Sequence, residues 1–334
     1  MGGLQPGTTL GGRYVLRSLL AAGGMGEVWR GADGELDREV AVKVLKDGAA
    51  KNETFLKRFR NEAKNAAGLR HPNIAQVYDY GEVDGTPYLV MELVEGEPLS
   101  TILERERTLD ERRLVTMLRH TCNGLQAAHD AGVMHRDVKP GNLLVQAGDL
   151  VKITDFGVSR GTDQTALTAT GMVMGTAQYL APELALGKVA TAASDLYALG
   201  IIAYESVNGK RPFTAASAVD IAIAQVNDEV PTLPATVSKP MTAVIMNLLE
   251  KNPRKRFKSA AELESHLASL NLEPPSLDPL AHDESPGPNA SAALDGQPGT
   301  VMPGEDRSAP RRAMPPSIAP KSYRPHPDRP AAPR

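Results

Sequence analysis

The sequence has almost no cysteine: among its 334 residues only Cys122 carries a thiol. No intrachain disulfide and no cysteine-based zinc site can form, which fits a reducing compartment. A basic excess is missing too. The 37 Lys and Arg face 40 Asp and Glu, a formal net charge of −3, whereas a dedicated nucleic-acid binder would show the opposite balance. No stretch approaches about 18 uninterrupted apolar residues, so no membrane span is predicted. The opening MGGLQPGTTL lacks the charged and apolar regions of a signal peptide, and Pro6 stands where N-myristoylation needs Ser or Thr. The expected location is therefore cytoplasmic. What is present is ordinary for a globular chain: 41% hydrophobic and 23% charged residues, enough apolar side chain for a packed core.

Proline divides the chain. Of the 26 prolines, 15 lie between Pro274 and Pro333, in a stretch without periodic apolar runs that cannot offset its ordering entropy. Residues 271–334 read as a disordered tail, following a domain at 13–270 and an N-terminal extension at 1–12. The tail's charge is split, with seven acids and no Lys or Arg over 271–306, then seven bases and one acid over 307–334. Within the domain, the segments 13–20, 27–30, 39–45, 77–81 and 88–92 read as strands, the last two around the turn Asp84-Gly85. One helix is predicted between residues 54 and 69, where Phe55, Phe59 and Ala63 lie four apart, and His71-Pro72 stops it. After Pro98 the pattern is mostly helical, over 112–131, 192–208, 219–227, 241–250 and 260–270. The fold class is α+β: a small antiparallel sheet with one helix, then a larger helical half.

Chemistry concentrates in a few places. Residues 21–28, Ala-Ala-Gly-Gly-Met-Gly-Glu-Val, put glycines between two strands, where free N–H groups can cradle phosphate. Lys43 ends an apolar strand, and an inward ammonium there needs a partner. Glu62 on the next helix is a candidate. The run His135-Arg136-Asp137-Val138-Lys139-Pro140-Gly141-Asn142 brings a carboxylate, an ammonium and a carboxamide together in a segment that Pro140-Gly141 keeps out of a helix. An Asp can orient a hydroxyl and accept its proton, a Lys can neutralise a transferring phosphoryl group, and an Asn oxygen can ligate a metal. Asp155-Phe156-Gly157 then follows a predicted strand at 150–153, and a carboxylate at a strand end beside a glycine turn suits Mg²⁺. Each feature alone has a plain reading as a turn or a solvated charge. That reading weakens sharply when all of them occur in this order.

On these motifs residues 13–270 resemble the protein kinase superfamily, most closely the eukaryotic-like serine/threonine protein kinases of bacteria. The resemblance implies two lobes, at about 13–94 and 95–270, with ATP between them. Gly23 and Gly26, in a loop that also holds Ala21, Ala22, Gly24 and Met25, would cover the phosphates. Lys43 would hold the α- and β-phosphates and pair with Glu62. Glu92 and Val94 would offer backbone groups to adenine after the gatekeeper-like Met91, and Leu20, Val28, Ala41 and Leu144 would sandwich the base. Asp137 would orient and deprotonate the acceptor hydroxyl, and Lys139 would steady the γ-phosphate. Asn142 and Asp155 would bind Mg²⁺, with Mn²⁺ as a substitute. Ala21 replaces the family's first loop glycine. Its methyl group is expected to restrict φ, stiffen the loop and cost some ATP affinity.

Lys139, two residues after the catalytic Asp, is the serine/threonine mark, so the implied partners are proteins carrying Ser or Thr. Residues 175–183 look like the segment that receives the residue after the acceptor, where Thr176 would bond Asp137 and Lys139. Glu183 would pair with Arg256, and Asp195 would anchor the catalytic-loop backbone. Thr168 and Thr170 stand seven and five residues before Gly175, the spacing of activating autophosphorylation sites in the bacterial relatives. Arg136 is the cation that would receive such a phosphate. Dimerisation through the back of the N-lobe occurs in the family, and a homodimer would serve trans-autophosphorylation. The expected function is an ATP-dependent serine/threonine protein kinase. The alternative is a pseudokinase or scaffold that binds nucleotide and partners without phosphoryl transfer. Its usual mark is loss of the Lys or of either Asp, yet Lys43, Asp137 and Asp155 are all present. A small-molecule kinase of the antibiotic-phosphotransferase type would lack the closing Ala181-Pro182-Glu183.

Overall fold

The Val- and Leu-rich segments at the start of the chain pair into one antiparallel sheet. The computed structural model describes residues 4–24, 26–46, 56, 59–60, 63–64, 66–156 and 177–272. Its first strands are β1 (Thr9–Leu10), β2 (Tyr14–Ala22), β3 (Gly26–Asp33), β4 (Arg38–Leu45), β5 (Val77–Val83) and β6 (Thr86–Glu92). They lie in the order β1-β2-β3-β4-β6-β5. Strand side chains alternate between faces, and β4 is covered on both. On one side Val40, Val42 and Val44 pack with Tyr14, Leu16 and Trp29. On the other, Ala41 and Leu45 pack with Leu89, Met91, Phe59 and Ala63. Lys43 shares this second face by register. Phe59 and Ala63 belong to the helical residues 56, 59–60, 63–64 and 66–67, as the four-residue spacing predicts. The sheet begins earlier than the strand pattern suggests: Thr9 and Leu10 pair with β2, and two residues carry no alternation to read.

The second half opens with a small sheet of β7 (Glu97–Pro98), β8 (Leu143–Val145) and β9 (Val151–Ile153). Helices α1 (Leu99–Glu106), α2 (Glu111–Asp130), α3 (Pro182–Ala185), α4 (Ala192–Asn208), α5 (Ala218–Asn227), α6 (Lys239–Leu248) and α7 (Ala260–Ala268) follow the chain. The Asp110 carboxylate caps α2 by accepting the N–H groups of Arg112 and Arg113. Every residue of α4 from Ser194 to Tyr204 is buried, the mark of a central helix rather than an amphipathic one. Close approach needs small residues there: a Cβ on Gly200 would lie 2.6 Å from Leu248 Cβ on α6. The helix stops at Gly209, whose φ of 72° is left-handed. The two halves are stitched by backbone bonds, Ala75 N–H to Ile153 O at 2.9 Å and Ile153 N–H to Asn73 O at 2.9 Å. Among the described residues no helix is long and apolar enough to cross a membrane. Nearly all of the expected tail, 273–334, lies outside the described residues.

Candidate active site

Strand β4 delivers Lys43 and the chain just beyond β9 delivers Asp155. Lys43 Nζ donates to Asp155 Oδ1 at 2.9 Å. Burial pushes the Asp155 carboxyl up, but the charge and hydrogen bond of Lys43, helped by Lys139, outweigh it and hold the carboxyl below the usual range. Asp155 has a φ of 60°, a left-handed value that costs a non-glycine residue and persists only where surroundings enforce it. The enforcement is visible on either side. Thr154 N–H donates to Asn142 O at 2.9 Å, His135 Nε2 meets Thr154 O at 2.9 Å, and the Phe156 ring packs 4.7 Å from that of His135.

The segment 135–142 folds around Asp137. Lys139 Nζ donates to Asp137 Oδ2 at 2.6 Å, and Asn142 Nδ2 donates to Asp137 O at 2.9 Å. With its amide nitrogen so committed, Asn142 presents Oδ1 as its acceptor. His135 Nδ1 accepts the Asp137 N–H at 3.3 Å, which places the ring proton on Nε2, facing Thr154 O. Asp195 of α4 fixes the backbone, as the resemblance implies. Its Oδ2 accepts the His135 N–H at 2.9 Å and its Oδ1 accepts the Arg136 N–H at 2.9 Å. Arg136 too is left-handed, with φ 68°. A third ligand of Asp195 escaped the sequence reading: His129 Nε2, near the end of α2, lies 2.8 Å from Oδ2. The only signal available was an inward-facing helical His six residues before His135.

In the glycine-rich turn, Ala21 and Ala22 pair with Val28 and Glu27, and Gly23 N–H closes the turn on Gly26 O at 2.9 Å. Gly26 is required by close approach, since a Cβ there would lie 2.4 Å from Val44 O. Ala21 takes an ordinary strand conformation. It lies in β2 and is absent from the residues with positive φ, so its methyl group puts no strain on the backbone there. Val28 sits opposite Lys43 and Ala41 opposite Met91. Ala41 and Met91 are buried, Val28, Val94 and Leu144 are half-buried, and Leu20 is half exposed at 50%. Glu92 N–H donates to Gln76 O at 2.8 Å, and its carboxylate takes Lys152 at 2.9 Å. Neither backbone group of Val94 has a hydrogen-bond partner among the described residues. Gly24 adjoins this turn. Met25, Glu62, Thr168, Thr170 and Thr176 lie outside the described residues.

Residues 177–183 border the same site, for Tyr179, Leu180 and Ala181 line one small cleft with Asp137 and Arg136. The expected pair is present: Arg256 Nη1 and Nη2 donate to Glu183 Oε1 and Oε2 at 2.8 and 2.9 Å, a bidentate geometry. Both residues are buried. Burial pushes the Glu183 carboxyl up, and Arg256 outweighs it and holds it low. Taken together, the site offers two ammonium groups for phosphate and one carboxylate for a proton. It also offers two hard oxygen donors, Asn142 Oδ1 and the Asp155 carboxylate. Such a donor pair fits Mg²⁺, which keeps its remaining positions for waters and phosphate oxygens.

Residues 14–267 match the protein kinase domain family. The serine/threonine-protein kinase PknA of Mycobacterium tuberculosis is 48% identical over 269 residues, covering 79% of this chain and 62% of that protein. PknA of Corynebacterium glutamicum is 40% identical over 316 residues, covering 91% of this chain and 67% of its own length. The chain thus spans about three fifths of the length of its mycobacterial relative. The solved kinase domain of PknI from Mycobacterium tuberculosis superposes with a TM-score of 0.61 at 26% identity, covering 80% of this chain and 99% of that one. With its motifs gathered in one site and the match running from the sheet through the last helix, the chain belongs to the protein kinase domain family, in the bacterial, eukaryotic-like serine/threonine branch.

Proposed function

We propose that this chain is an ATP-dependent serine/threonine protein kinase whose kinase domain is residues 13–270. One observation carries the reading: Lys43 meets Asp155 at 2.9 Å, while Asp137, Lys139 and Asn142 are knitted together on the loop that Asp195 anchors. Asp137 orients the acceptor hydroxyl and takes its proton as the oxygen bonds the γ-phosphorus and ADP departs. Lys139 steadies the γ-phosphate, and Lys43 holds the α- and β-phosphates. Ala41, Val28, Leu20 and Leu144 enclose the adenine, whose edge meets the backbone of Glu92 and Val94 beside Met91. The turn from Ala21 to Gly26 covers the phosphates. Asn142 and Asp155 hold Mg²⁺ or Mn²⁺, which when bound neutralises charge on the phosphate oxygens. A reducing, ATP-supplied cytoplasm suits the single buried thiol of Cys122.

Autophosphorylation at Thr168 and Thr170, in trans between two copies, raises activity by giving Arg136 a dianionic partner. The test is intact-mass spectrometry of phosphatase-treated protein incubated with Mg-ATP, with Asp137→Asn as control. Increments of about 80 Da in the unmutated protein alone are expected, and fragmentation should place them at Thr168 and Thr170. No increment in either protein overturns the reading. Increments elsewhere in the chain overturn the two named sites.

A further inference from the structure

Gln225 lies on α5, remote from every residue discussed above in sequence, yet it is 0% exposed. A buried carboxamide is expensive unless both ends are bonded. Here both are. Its Nε2 donates to the backbone carbonyl of Gln178 at 3.0 Å, and its Oε1 accepts from Tyr197 Oη at 2.6 Å. The assignment is not ambiguous, because a carbonyl can only accept, so the amide nitrogen must face Gln178. Tyr197 belongs to α4, two residues after Asp195, and its ring stacks 4.7 Å from the Arg256 guanidinium that clasps Glu183. Lys251 Nζ donates to the main-chain oxygen of Gln225 at 2.8 Å and lies 4.2 Å from the Phe213 ring centre, fixing the end of α5. The segment 177–183 is therefore held at its far end by Arg256, at Tyr179 by Glu205 at 2.6 Å, and at its near end by Gln225.

We infer that Gln225 is a positioning residue for the acceptor protein: through Gln178 it sets the height of the segment that shares a cleft with Asp137. The inference rests on the kinase reading. The clamp touches neither the nucleotide side nor Asp137 itself, so its loss should be felt by the acceptor and not by ATP. Gln225→Met keeps the volume and removes both hydrogen bonds, and Tyr197→Phe removes only the bond on the α4 side. Both are assayed with a Ser/Thr acceptor peptide and with ATP alone. For Gln225→Met the peptide KM should rise about five- to tenfold, the size of one lost net hydrogen bond. ATP KM and peptide-independent ATP hydrolysis should stay within about twofold, and Tyr197→Phe should shift peptide KM less than Gln225→Met. An unchanged peptide KM overturns the proposal, and so does a parallel loss of ATP binding and hydrolysis, the sign of a merely structural role. Should Gln225→Met not fold, Gln225→Ala, which leaves room for water at Gln178 O, is read in its place. If the unmutated protein transfers no phosphate, peptide binding by fluorescence anisotropy still reports on Gln225: equal affinities in both proteins overturn it, weaker binding in the variant supports it.

Discussion

Individual residues here are legible where a sequence motif surrounds them. Lys43, Asp137, Asn142 and Asp155 announce themselves through the residues beside them, although Lys43 and Asp155 are partners 112 residues apart. His129 and Gln225 sit in no such motif, and their partners are Asp195 and Gln178, 66 and 47 residues away. A lone helical His or Gln reads as surface until the fold buries it. Asp155 makes a residue-level prediction. Its folded carboxyl titrates below the unfolded value of about 3.9, so the ionised Lys43–Asp155 pair contributes stability fully at neutral pH. That contribution is lost as pH falls through the folded value. Lys43→Met removes the opposing charge and leaves the burial. The Asp155 titration midpoint, followed by its carboxyl ¹³C shift, should then move upward. A midpoint that stays or falls would show that burial and Lys43 do not compete there.

At the level of elements, periodicity finds what is long enough to have a period. The helices at 192–208 and 260–268 and the strand at 38–45 appear within a residue or two of expectation. The strands β1, β7 and β8 and the single turn of α3 do not, because two to four residues complete no cycle. Helix α4 appears as expected even though Ser194 to Tyr204 are all buried and leave little polar face to contrast. Its Gly200 offers a sign test. Ala would gain about 1 kcal/mol of helix propensity, but overpacking costs about 1–3 kcal/mol. The overlapping atom is Leu248 Cβ, which cannot swing away like the tip of a side chain, so the overlap should win. Gly200→Ala is expected to lose about 1 kcal/mol and lower Tm by about 2–4 °C. A raised Tm would mean that α6 shifts outward at no cost.

For the whole molecule, the two halves meet through a few named contacts, the Lys43–Asp155 pair and the backbone bonds of Asn73 and Ala75 to Ile153. Composition could suggest two lobes but not these contacts, which join segments far apart in the chain. Cys122, fully buried in α2 with its thiol pushed up by burial, reports on the assembled state. A disulfide reagent should label it only as fast as the protein unfolds, and Mg-ATP should slow labelling by stabilising the folded form. Fast labelling of native protein would show that α2 opens locally. The Asp195 carboxylate carries a last consequence. By accepting the amide protons of His135 and Arg136 from the buried stretch of α4, it ties the exchange of those two protons with solvent to the opening of α4 itself. The loop proposed to perform the chemistry is irregular in backbone, yet two of its amides are tied to the buried stretch of the central helix. Loosening the central helix should therefore loosen this loop with it, since two of its amides are held by Asp195.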